Sequence, residues 1–181
     1  MLRYIVTKLI RRNVMNAQGL RTVSLVAATV SMGLTAGVFD LYAHTIMPGL
    51  RRTDDRTFVV AFRAIDGAII NPWFIGGSFI GALLLTAAAA ITSRGARDFP
   101  WIVGALIAYG VAVAITIAIH VPLNDAIKAA RVGDPSVNVA EVRAHFGETR
   151  WAAWNLARVV TSTGAFGGLA WALVLHGRAT P

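Results

Sequence analysis

The chain has no cysteine. That excludes disulfides, thiolate metal centres and iron–sulfur clusters, and leaves the compartment open. Charge is also scarce, at 14% of 181 residues, against about a quarter in soluble domains. Acids are the scarcer sign, nine against 17 Lys and Arg, for a net charge of +8. No P-loop, nucleophile elbow or dinucleotide-binding glycine fingerprint occurs. What fills the chain is apolar: hydrophobic residues make up 56%, and the mean hydropathy is +0.61. This composition points to one domain, residues 1–181, built for the bilayer. The basic residues are spread around apolar runs, so they imply the lipid bilayer as partner and no nucleic acid.

Residues 1–21 hold Arg3, Lys8, Arg11, Arg12 and Arg21 without an acid. Leu2, Ile5, Val6, Leu9, Ile10 and Val14 recur on one helical face. The pattern predicts an amphipathic helix in the interface, drawn to anionic lipid. A secretory or twin-arginine signal is disfavoured, because the apolar run that follows is too long and lacks a small-x-small cleavage site. That run predicts a first span over 22–47, closed by Pro48-Gly49, with Gly33 and Gly37 as a small-xxx-small packing pair. Residues 50–67 predict a short helix on the membrane surface or over the bundle mouth, with Thr53 as N-cap and Asp54 and Asp55 in the first turn.

Asn71-Pro72 opens a second span over 70–93, and Gly76, Gly77 and Gly81 give it a tight packing face. A short turn with Arg94 and Arg97 leads to a third span over 99–121, ended by Val121-Pro122. Trp101 is placed like an interface aromatic. The loop that follows holds a helix near Val137–Phe146, and a fourth span covers 151–175. His145 and His176 read as ordinary interface residues, and Trp171 as interface or packing. The predicted fold class is all-α: an integral membrane four-helix bundle with an N-terminal amphipathic interfacial helix and short helices in the two outer loops.

Four spans put both termini on one side. Lys and Arg are equal in number on the two sides, but those on the terminal side sit in a short turn and directly before the first span. The positive-inside rule therefore places both termini in the cytoplasm, in a plasma (inner) membrane. Homo-oligomerisation is left open.

The helix directions bring polar residues of all four spans to the outer half of the bundle. Asp40 and His44 are late in span one, Asn71 opens span two, His120 and Asn124 close span three, and Asn155 and Arg158 open span four. Counted from Pro48, Asp40 is about 12 Å inside the hydrocarbon. In a structural reading Asp40 neutralises Arg158 and the amides fix helix register, at about 1 kcal/mol per contact. In a functional reading the cluster is a pocket for a hydrophobic aromatic molecule. His44 and His120 would act there as proton acceptors, Arg158 would stabilise an anion, and Asp40, Asn71, Asn124, Trp154 and Asn155 would bind the ligand. A metal on Asp40, His44 and His120 is the weaker chemistry, since no further ligand is evident, and bis-His haem is weaker still. No metal and no cofactor are assigned.

Several stretches together resemble the anthrone oxygenase-like family of small four-helix membrane proteins. They are Gly37-Val-Phe39 with Met47-Pro48-Gly49-Leu50, Ala64-Ile65, Ile70-Asn71-Pro72-Trp73-Phe74, Val121-Pro122-Leu123-Asn124-Asp125-Ala126, and Trp151-Ala-Ala-Trp154-Asn155-Leu-Ala-Arg158. They touch all four spans. The Arg/Ala-rich sequence fits a bacterial member. The resemblance implies cofactor-free oxidation of a phenolic or quinone-like molecule by molecular oxygen, with Asn71, Asn124, Trp154, Asn155 and Arg158 at matching positions. It departs at His120, where the family more often has Asn, and at Asp40 and His44, where aromatic or small residues are usual. Against an oxidoreductase stands a non-enzymatic membrane component of a transport or assembly system, whose polar cluster is structural.

Overall fold

A computed structural model describes residues 2–130, 132, 134 and 136–179, with side chains from residue 18 onward. Eight α-helices follow in order: α1 (Leu2–Leu41), α2 (Met47–Arg51), α3 (Asp55–Ile69), α4 (Gly81–Thr92), α5 (Phe99–Ile115), α6 (Val121–Ala129), α7 (Val139–Phe146) and α8 (Glu148–Ala179). Three π-helical segments lie between them: Tyr42–Ile46 joins α1 to α2, Trp73–Ile80 leads into α4, and Thr116–His120 joins α5 to α6. Four helical runs are long and apolar enough to cross a membrane: Gln18–Arg51, Trp73–Thr92, Phe99–Ala129 and Val139–Ala179. The chain is an all-α, multi-pass membrane bundle. Residues 2–21 are helical and continue into the first span without a break. The amphipathic face and basic side chains expected over residues 1–17, and the lipid contact they imply, lie outside the described residues.

Around the bundle α1 packs against α4 and α8, and α5 packs against α8 and α4. The fourth helix shows why. Trp151, Asn155, Arg158, Ser162, Ala165, Leu169, Ala172 and His176 are its buried residues, and their alternating spacing of four and three is the heptad seam of an antiparallel bundle. Small residues let the backbones approach. A Cβ added at Gly33 would stand 3.0 Å from the Phe166 ring. Gly37 faces open space, so the expected Gly33–Gly37 pair contributes one packing residue.

At the terminal end Asp98, 1% exposed, forms an ion pair with Arg21. Arg21 Nε also donates to Ser93 Oγ at 3.1 Å, and Thr22 and His176 hydrogen-bond at 2.8 Å. This end is polar but self-neutralised. Just inside it, Trp101 and Trp171 meet edge to face and are both exposed. Trp73 and Trp154 are exposed near the starts of the second and fourth spans. The stretch of α8 from Trp154 to Trp171 is about 26 Å long at 1.5 Å per residue, close to the roughly 30 Å of a hydrocarbon core. The four exposed tryptophans form a pair near each end of the bundle, the placement that amphipathic rings favour at a membrane boundary.

The far end is roofed. Asp54, not the expected Thr53, is the N-cap of α3, and its side chain accepts from Thr57 N. A carboxylate serves that position better than a β-branched hydroxyl. Thr53 instead donates to the Leu50 carbonyl. Asn138 caps α7, which begins at Val139. Arg143 of α7 ties the roof together. It donates to the Thr53 carbonyl at 2.9 Å, to Asp55 at 3.0 Å and to Glu148 at 2.6 Å, and it stacks on Phe58 at 4.4 Å. Phe58, Phe62, Phe146 and Trp151 fill the space beneath it.

Two expected boundaries are corrected. Neither Pro48-Gly49 nor Val121-Pro122 ends a span. Each proline falls in the first turn of a following helix, α2 or α6, where its missing N–H does least harm. A π-helical segment directly precedes each one, and such wider turns absorb a local mismatch without breaking the rod. The depth of Asp40 changes with this. Asn155 Nδ2, next to Trp154, donates to the Phe39 carbonyl at 3.0 Å. Asp40 therefore lies level with Trp154 on the fourth span, eleven residues before the end of its own apolar run at Arg51.

Candidate functional site

All three π-helical segments border one cavity of about 300 Å³. Its walls are mostly apolar: Phe39 and Tyr42 from the first span, Phe74, Ile75 and Phe79 from the second, Ile117 and Val121 from the third, and Trp151 from the fourth. π-Helical turns concentrate at functional sites because they re-aim side chains and carbonyls that regular helix would bury. The segment at Trp73–Ile80 packs on α1, and the segment at Thr116–His120 packs on α8. The two part from each other and leave the space between spans two and three.

Arg158 forms the inner wall and is 5% exposed. Its Nη2 donates to Asn155 Oδ1 at 2.7 Å and its Nη1 to Thr116 Oγ1 at 3.2 Å. The guanidinium lies 4.3 Å from the centroid of the Phe39 ring and 5.6 Å from that of Trp151. Nε has no partner, and no described carboxylate forms an ion pair with Arg158. A buried cation without a counter-charge costs several kcal/mol to maintain, and its favoured neighbour is an anion.

Beside it is His120, 1% exposed, edge-on to Trp151 with ring centroids 4.9 Å apart. Neither imidazole nitrogen makes a hydrogen bond of good geometry. Its polar neighbours are backbone groups of Ile115 and Trp151. Toward the roof the lining becomes polar. Trp151 Nε1 donates to Asn124 Oδ1 at 2.9 Å, and Asn124 Nδ2 donates to Asp66 Oδ1 at 2.6 Å. Lys128 spans Asp66 at 2.9 Å and Asp125 at 3.1 Å. The cavity thus has an apolar body, a cationic inner wall with an imidazole beside it, and a charged outer edge.

Of the sequence-derived site residues, His120, Asn124 and Arg158 line this cavity, and Asn155 holds Arg158 from behind. The others are elsewhere. Asp40 and His44 are more than half exposed and pair with each other at 3.5 Å on the outside of the first span, so Asp40 does not neutralise Arg158. They are also apart from His120, and no cluster of three metal-ligating side chains occurs among the described residues. Asn71 caps the second span. Its Oδ1 accepts from Phe74 N at 2.9 Å and its Nδ2 donates to the Ala68 carbonyl at 2.9 Å. Trp154 is 41% exposed and belongs to the boundary ring, while Trp151 is the cavity tryptophan.

Sequence reasoning missed Thr116 and Asp66 as site residues. Thr116 is one helical turn before His120, a spacing that could have revealed it. Asp66 gave no such signal, because its role depends on how α3 folds back over the bundle.

A family model described as Anthrone oxygenase matches residues 71–168. The match runs from the cap of the second span into the middle of the fourth. It takes in His120, Asn124, Trp151, Asn155 and Arg158, and leaves Phe39, Tyr42 and Asp66 outside. No curated protein and no solved structure gave a match.

Proposed function

We propose, since the chain belongs to the anthrone oxygenase family, that its cavity binds a hydrophobic phenolic or quinone-like molecule and lets molecular oxygen oxidise it without a cofactor. For a substrate carrying an acidic CH2 group, His120 takes one carbon-bound proton. The electron pair left behind delocalises onto the phenolate oxygen, which Arg158 stabilises as fixed positive charge in a low-dielectric wall. Oxygen accepts that pair and forms a C–O bond. Protonation by His120 gives a hydroperoxide, which loses water as the second C–H proton departs and leaves a ketone. One O2 is consumed and one water released per substrate.

The observation that carries this reading is Arg158, buried without a described carboxylate partner and facing the same cavity as the buried His120 imidazole. The rival reading, a non-enzymatic membrane component with a structural polar cluster, depends on Asp40 neutralising Arg158. Asp40 is instead paired with His44 on the outside. Orientation is part of the proposal: Arg21, Arg94 and Arg97 favour cytoplasmic termini in a plasma membrane, which turns the cavity toward the outer leaflet.

The test is oxygen uptake by purified protein in nanodiscs, with a panel of anthrones and hydroquinones. One O2 per anthrone is expected, with Arg158→Ala and His120→Ala slower by at least tenfold and His44→Ala unchanged. If Arg158→Ala matched wild type, the anion-stabilising role would be wrong.

A further inference from the structure

The cavity has an opening on the side of the bundle. Ile75 on the second span and Ile117 and Val121 on the third line the cavity, yet they are 36%, 64% and 45% exposed. They sit where the two π-helical segments separate. Arg158 is one helical turn inward of Trp154 along α8, and Thr116, which it bonds, precedes Ile117. Ile117 and Ile75 both lie within the apolar runs of their spans, Phe99–Ala129 and Trp73–Thr92. The rim of this opening is apolar and belongs to the two membrane-spanning runs. At the water-facing edge, by contrast, Lys128 bridges Asp66 and Asp125, and α3 covers the top.

We propose that the cavity is loaded sideways from the lipid leaflet, through the gap between spans two and three, by a neutral aromatic molecule dissolved in the bilayer. This rests on the oxidation reading for the ligand's class, but the route follows from the rim alone. A flat apolar molecule concentrated in the leaflet meets the opening without leaving hydrocarbon. Its polar substituents pass the Ile75–Ile117 rim and end beside Arg158 and His120. The water-facing edge is charged instead, with Lys128 held between Asp66 and Asp125.

The chain's lack of cysteine makes the route measurable without knowing the ligand. A single cysteine at the deep wall position, Phe79→Cys, is treated in vesicles with two reagents of the same chemistry. One is a bilayer-soluble pyrenyl maleimide, the other a water-soluble sulfonated maleimide. Phe74→Cys, nearer the mouth, serves if Phe79→Cys does not fold, and Asp125→Cys reports the activity of the water-soluble reagent. The expected result is labelling at Phe79→Cys at least tenfold faster with the pyrenyl reagent. That labelling should slow at least fivefold when Ile75→Trp and Ile117→Trp are added to narrow the gap. Equal or faster labelling by the sulfonated reagent, or no effect of the two tryptophans, would overturn lateral loading. If labelling behaves as expected while no anthrone or hydroquinone supports oxygen uptake, the oxidation reading fails and the lateral route stands.

Discussion

Arg158 and Asn155 separate two effects that a single alanine substitution would blur. The guanidinium is desolvated, stacked on Phe39 and bonded to Asn155 and Thr116, with no carboxylate partner. Replacing such a cation by an apolar side chain of similar reach removes a desolvation penalty of several kcal/mol at the loss of two hydrogen bonds. Arg158→Met is therefore expected to unfold at the same or a higher temperature than wild type in one detergent, while its oxygen uptake is lost. Asn155→Leu acts in the opposite direction. It removes the bond to the Phe39 carbonyl and leaves Arg158 Nη2 without its Asn155 partner, a cost of about 1–3 kcal/mol, and its melting temperature should fall. If both variants melted alike below wild type, Arg158 would be a structural residue. Much of this was legible at single positions. The Trp-Asn-x-x-Arg stretch drew attention to Asn155 and Arg158 from sequence alone. Choosing between Trp151 and Trp154 needed the helix face: Trp151 continues the four–three seam through Asn155 and Arg158, whereas Trp154 lies beside it.

Among the elements, the spans were readable because length and hydropathy are properties of a stretch, not of its partners. The π-helical segments were not. They carry no composition of their own, and the prolines just beyond two of them look like ordinary stop signals. Gly81 shows how tightly such a segment is fitted, since a Cβ there would meet the Gly76 carbonyl oxygen at 2.9 Å. Gly81→Ala is expected to destabilise the second span by about 1–3 kcal/mol. Gly37→Ala, which faces open space, should be neutral in the same thermal assay. The roof helix gives a pH-dependent prediction. Hydrogen bonds from Thr57, first from its hydroxyl and then from its backbone N–H, hold the Asp54 carboxyl below the ordinary carboxylate range. A group whose pKa is lowered by folding contributes stability at neutral pH and loses it as pH falls through the folded value. Protection of the first-turn amides of α3 from hydrogen exchange should therefore drop below about pH 4. Asp54→Ala should show the reduced protection at every pH.

Across the whole molecule the two ends handle polarity differently. At the terminal end Arg21 pairs with Asp98 and Ser93, and Thr22 with His176, so the buried cation there has a counter-charge. At the roofed end Arg158 is left with one nitrogen unused. Removing the buried carboxylate at the terminal end leaves Arg21 with Ser93 as its remaining described partner, so Asp98→Ala should cost about 3–5 kcal/mol and lower the melting temperature. Because that end is remote from the cavity, oxygen uptake per folded molecule should survive. The fold class was readable at this scale, but which polar residues share one level was not, since that is set by how different helices pack. The three π-helical segments carry one further consequence. Each holds a residue more per turn than regular helix needs, which is a length of slack. Deleting one residue from Tyr42–Ile46 would let the segment relax to α-helix, and the wide turn would absorb the loss with little rotation of what lies beyond. Met47 and Leu50 would keep their places in the aromatic cluster under α3, while the cavity wall at Tyr42 would be reshaped. The slack allows the half of the bundle that holds the cavity to be re-cut, one residue at a time, independently of the half that holds the protein together.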